Sequence, residues 1–154
     1  MGDALKRRIR QTRFDGPAHE AVLNLLIAAG FIRQFVEEAC AAADITYGQY
    51  NALRILRSAH PKGHPRGEIA ARLVERAPDV TRLIDRLERR GLVERSHVSE
   101  DRRLSLTRIT RPGMDVLRRV EPRIQEIYRQ FAARVPQRDL RELSRICETV
   151  YDTE

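Results

Sequence analysis

Tryptophan is absent from this 154-residue chain, and phenylalanine and tyrosine contribute four residues each, so its core has to be aliphatic. Two cysteines, Cys40 and Cys147, are too few for a disulfide framework and lack C-x-x-C spacing. Neither has a cation directly beside it, so packing rather than redox chemistry is their expected role. Lysine is nearly missing. Lys6 and Lys62 are the only two, and the remaining basic residues are arginines. Long apolar runs are missing as well: the longest uncharged stretch, Ala21 to Ile32, is well short of the ~20 residues that span a bilayer. No apolar segment follows the basic residues near the N-terminus, so no secretory signal is expected. The expectation is a soluble cytoplasmic protein without membrane contact. The H-E-x-x-H, G-x-S-x-G, phosphate-loop and G-x-G-x-x-G signatures are absent, so neither an enzyme nor a bound cofactor is expected.

What the chain does have is positive charge in one place. Its 29 basic and 22 acidic residues give a formal net charge of +7. Residues 57–111 carry 14 basic and 8 acidic side chains, whereas residues 112–154 carry eight of each. A basic segment between nearly neutral arms is the electrostatic footprint of a polyanion partner, most simply nucleic acid.

Residues 1–17 are polar and basic and are expected to form a flexible arm. From His19 to about Ala43, apolar residues recur at helical spacing around so much of the circumference that a helix from a second subunit is their natural cover. Thr46-Tyr47-Gly48-Gln49 fits a capping box opening a second helix, with Tyr50, Leu53 and Leu56 inward and an end near Ser58. Two His-Pro pairs and two glycines mark 59–67 as a loop. His60 and His64 are four apart there, but a proline-broken loop does not aim both rings at one point, and no metal site is expected. A short helix with Ile69 and Leu73 inward follows. Pro78 then stands where a further helix can begin, with Asp79 at its positive end. Val80, Leu83, Ile84 and Leu87 form its inner stripe, and Gly91 stops it.

Leu92 to Val98 and Leu104 to Thr110 read as a hairpin with a charged tip. Thr110 can cap a long helix to about Arg134, interrupted by Pro122, which should kink it or cost about 3 kcal/mol. A last helix follows Pro136, with Leu140, Leu143, Ile146 and Val150 as its stripe.

Two short helices followed by a hairpin make a winged helix-turn-helix. The outer face of the second helix carries Asp79, Thr81, Arg82, Arg86 and Arg89, suited to a major groove, where arginine pairs bidentately with guanine. Asp85 is expected to pair with one of that helix's own arginines. The tip, Asp101-Arg102-Arg103, suits a minor groove, and Arg66 and Arg72 are placed for phosphates.

The wording of these elements resembles the MarR family of bacterial transcriptional regulators. The likeness is carried by Arg66-Gly67-Glu68-Ile69-Ala70-Ala71-Arg72-Leu73, by the block from Pro78 to Arg95, by Glu100-Asp101-Arg102-Arg103 and by Ile109-Thr110-Arg111-Pro112-Gly113. The fold implied is mostly α with a small β-hairpin wing: a winged helix-turn-helix lobe over 45–111 and dimerisation helices over 18–44 and 112–154. The resemblance also implies a homodimer on pseudo-palindromic double-stranded DNA, with Thr81, Arg82 and Arg86 at contact positions. One of Arg102 and Arg103 would enter the minor groove while Asp101 steadies an arginine. Family members usually repress promoters and release DNA when a small aromatic or anionic effector binds, here placed near Phe31, Phe35, Tyr50 and Arg54. Pro78-Asp79 departs from the Ser-Thr of many relatives, so base preference does not carry over. A winged-helix module for protein or RNA contacts is the alternative reading.

Overall fold

The computed structural model describes residues 3–97 and 105–152. The elements run α1 (Asp3–Ile9), α2 (Pro17–Ala41), α3 (Tyr47–Ser58), β1 (His64–Pro65), α4 (Arg66–Arg72), α5 (Val80–Arg89), β2 (Val93–His97), β3 (Ser105–Ile109), α6 (Arg111–Arg134) and α7 (Gln137–Tyr151). Helices dominate, and the small antiparallel sheet has the order β1-β3-β2. This is the winged-helix architecture expected from the sequence.

The helix boundaries follow local chemistry. At the head of α3 the capping box is complete: Gln49 N–H donates to Thr46 Oγ1 at 3.2 Å, and Thr46 N–H donates to Gln49 Oε1 at 3.0 Å. Thr110 does comparable work for α6, accepting from Gly113 N–H at 3.3 Å and donating to the Gly91 carbonyl at 2.6 Å. It thereby ties the end of the winged lobe to the start of the long helix. Pro122 does not end α6, which continues to Arg134. The N-terminal stretch expected to be an arm contains α1, and Leu5 on it is buried.

The loop expected over 59–67 ends in a strand. His64 and Pro65 pair with Thr107 and Leu106, adding a short edge to the hairpin. Proline is tolerated there because an edge strand leaves one side of its backbone unpaired. β2 and β3 pair in continuous antiparallel register from Val93↔Ile109 to His97↔Ser105.

One aliphatic core joins these parts. Leu53 and Leu56 of α3, Ile69 of α4, Ile84 and Leu87 of α5, and Leu117 and Val120 of α6 are all essentially inaccessible to solvent. Burying a side chain of this size contributes roughly 1.5–3 kcal/mol. The orientation of α5 is therefore set by its inner face.

Gly113 makes the close approach of α6 possible. A Cβ built there would lie 2.2 Å from the Leu92 carbonyl oxygen and 2.8 Å from Ile109 Cγ1. Gly113→Ala is expected to force α6 away from the Leu92 backbone and the end of β3 and to cost about 1–3 kcal/mol. Urea unfolding of the variant beside wild type measures this; equal midpoints would show that the contact yields freely.

Candidate nucleic-acid interface

The second helix of the pair is stopped at both ends by its own sequence. The Asp79 carboxylate accepts from Arg82 N–H at 2.9 Å, so Asp79 is the cap and α5 starts at Val80 rather than at Pro78. A capping side chain reaches the third residue beyond it, and Asp79 uses that reach, which leaves Pro78 outside the helix. At the other end Gly91 adopts φ +67, Leu92 N–H donates to the Leu87 carbonyl at 3.0 Å, and Gly91 N–H donates to the Glu88 carbonyl at 2.8 Å. This pair of bonds is the Schellman closure, which favours glycine in the left-handed region.

With Ile84 and Leu87 inside, the opposite face carries Thr81, Arg82 and Arg86, all exposed. Arg82 keeps most of its side chain in solvent while its Nε lies 3.5 Å from Asp79 Oδ2. Arg86 makes no ion pair with another described residue. Arg66 donates from Nη1 to Thr81 Oγ1 at 3.0 Å, so it braces α4 against α5. Arg72 pairs with Glu68 on its own helix at 3.1 Å. Arg89 donates from Nε to the Asp85 carbonyl at 3.3 Å.

Asp85 does not pair with an arginine side chain of its own helix, as sequence spacing suggested. Its carboxylate meets Arg95 of β2, whose Nη1 also lies 3.4 Å from Glu88 Oε2. Both α5 carboxylates are thus engaged from the sheet side. Arg90 is drawn back to the Asp44 backbone and carboxylate, 3.1 Å from Oδ2. Arg95 is a site residue that helical periodicity does not reveal, because its partners lie on another element. Its signal was a basic residue alternating with polar ones on a strand next to an acidic helix face.

The wing residues Asp101, Arg102 and Arg103 lie outside the described residues. The four residues implied for an effector are separated by the structure. Phe31 and Phe35 meet edge-to-face at 4.8 Å between ring centroids and line a half-open groove of about 200 Å3 with Ile127, Phe131, Gln130 and Arg134. Tyr50 is buried in the core instead, with the Arg54 guanidinium 5.8 Å from its ring centroid. The spacing of Tyr50 on α3 made it a core residue, and that demand prevailed. Cys40 is fully buried, and burial together with the nearby Glu37 carboxylate pushes its thiol up to about 11, so it stays protonated near neutral pH.

The geometry defines a class: a winged helix-turn-helix lobe joined to long terminal helices. The MarR family model matches residues 45–105. A MarR transcription factor from Planctomyces limnophilus is 37% identical, with 89% of this chain and 99% of that one covered and a TM-score of 0.68. The chain belongs to the MarR family and is a transcriptional regulator of that winged-helix, DNA-binding kind. The homoprotocatechuate degradative operon repressor of Escherichia coli is 29% identical over 105 residues, which is 68% of this chain and 70% of that one. The match to a relative from Thauera aromatica spans only 61% of that protein's length. The S. aureus MepR–DNA complex shares the fold at 18% identity and a TM-score of 0.75, covering 84% of this chain and 95% of that one. No helix among the described residues is long and apolar enough to cross a membrane.

Asp79→Ala is expected to remove the cap and cost about 1 kcal/mol. Hydrogen exchange at Val80 to Arg82 should accelerate while exchange in α3 stays unchanged. Equal exchange in both proteins would show that the cap contributes nothing.

Proposed function

We propose that the protein is a homodimeric, sequence-specific regulator of transcription that binds a pseudo-palindromic operator and represses until a small ligand releases it. The observation that carries this reading is the pairing of a buried inner face on α5 with an outer face of Thr81, Arg82 and Arg86. The carboxylates of that helix and of its cap are engaged by Arg95 and by the first-turn backbone, so positive charge dominates what faces outward. Arg82 and Arg86 would read base edges in a major groove, and Thr81, braced by Arg66, would add a methyl or phosphate contact. Arg72, held by Glu68 on its own helix, would reach phosphate from α4, and Asp79 would serve by positioning Arg82. The wing arginines Arg102 and Arg103, with Asp101, would complete the contact in the minor groove. Grouping the chain into a DNA-reading lobe over 45–111 and dimerisation helices over 18–44 and 112–154 follows from this division of labour. The name of the Escherichia coli relative supports repression.

The dimer reading rests on apolar surface that one protomer leaves open. No residue of α7 is buried, and its stripe of Leu143, Ile146 and Val150 is 39%, 48% and 63% exposed. Leu26 of α2 is 65% exposed. A second copy presenting the same surfaces covers both. The groove beside Phe31 and Phe35, lined mostly by apolar side chains together with Arg134 and Gln130, suits a small aromatic anion.

Arg82→Ala is expected to weaken binding to the preferred duplex by about 1–3 kcal/mol and to relax sequence preference. Equal losses on preferred and random duplexes would mean that it grips phosphate only. A salt titration of wild-type binding should fall steeply, and a flat response would end the nucleic-acid reading. Leu143→Glu should halve the mass seen in sedimentation; an unchanged mass would place the subunit contact elsewhere.

A further inference from the structure

The segment 73–79, between α4 and α5, has no regular structure, yet side chains from two other helices hold it. The Asn51 side chain on α3, itself buried, accepts from Val74 N–H through Oδ1 at 3.1 Å. Arg33 on α2 grips the next residue with two prongs: Nη1 donates to Glu75 Oε2 at 3.0 Å, and Nη2 lies 2.5 Å from Glu75 Oε1. A planar guanidinium facing a planar carboxylate fixes orientation as well as distance, which a lysine would not do.

Arg33 is the only charged residue between Glu20 and Glu37. Its neighbours on α2, Phe31 and Phe35, line the groove against α6. Glu75 lies four residues before Asp79, the side chain that caps the helix carrying Arg82. A short tether therefore runs from the groove helix to the first turn of α5.

We propose that Arg33 and Glu75 are positioning residues for DNA binding: their two-pronged pair holds the 73–79 segment, and through it sets the angle at which Thr81 and Arg82 meet the duplex. Neither residue touches DNA in this role. The inference rests on the reading of α5 as the groove-entering helix. It adds that a helix outside the DNA-reading lobe decides how well α5 is presented, and that motion of α2 beside the groove reaches α5 through one ion pair.

The test compares the full-length chain with Arg33→Ala, Glu75→Gln and the double variant Arg33→Glu/Glu75→Arg on one duplex selected from random sequence with the wild-type protein. Both single variants should weaken binding about fivefold, the upper range for an exposed ion pair, and the charge-swapped double variant should recover most of the loss. The two single changes shift net charge in opposite directions. A purely long-range electrostatic effect would therefore weaken one and tighten the other. Hydrogen exchange should quicken across residues 74–82 in both single variants, with thermal midpoints lowered by no more than about 2–4 °C. Tighter or unchanged binding by Glu75→Gln, or no recovery in the double variant, would overturn the proposal. Wild-type protein that binds no duplex would instead remove the reading on which it rests.

Discussion

The burial of Ile84 and Leu87 is the constraint from which the rest follows. A ten-residue helix has little stability of its own, and α5 is held by two aliphatic side chains that α3, α4 and the sheet enclose completely. Once that inner face is committed, the direction of the outer face is no longer free. Caps at both ends then limit its length, and Arg66 fixes it to the preceding helix through Thr81. Because the core is aliphatic, orientation comes from shape and packing density rather than from a few large aromatic anchors.

Ion pairs here act less as stabilisers than as allocators of charge. Surface pairs contribute little free energy on average. Their placement nevertheless decides which arginines remain available. Arg95 approaches α5 from the sheet side and takes up Asp85 and Glu88, and Arg90 is drawn toward Asp44. What is left on the outer face of α5 is cationic, although the helix as a whole contains both signs. Net charge alone would have given a much blurrier picture of the same surface.

Features encoded within a few residues were legible in the sequence. The Thr46–Gln49 box, the Gly91 stop and the Thr110 cap each close through bonds between residues only a few positions apart, and each formed where its spacing pointed. The inner stripe of α5 was equally readable, because periodicity is a local property. Features that depend on distant segments were not. β1 exists because β3 offers it an edge, and nothing within His64-Pro65 announces a strand. Asp85 had several arginines at helical spacing, yet its partner came from the next strand. Asn51 and Glu75 gave no hint of their roles, since both act on backbone or side chains far away in the chain.

One consequence follows from the bareness of α7. A fifteen-residue helix that buries none of its own side chains is marginal in water when alone. Its folded population must then rise and fall with the abundance of whatever it packs against. If that is another copy of the chain, mass action links the integrity of the C-terminal region to how much protein the cell makes. A regulator held at low copy number would pass part of its time with that end frayed and open to proteases, so its own turnover would report on its supply.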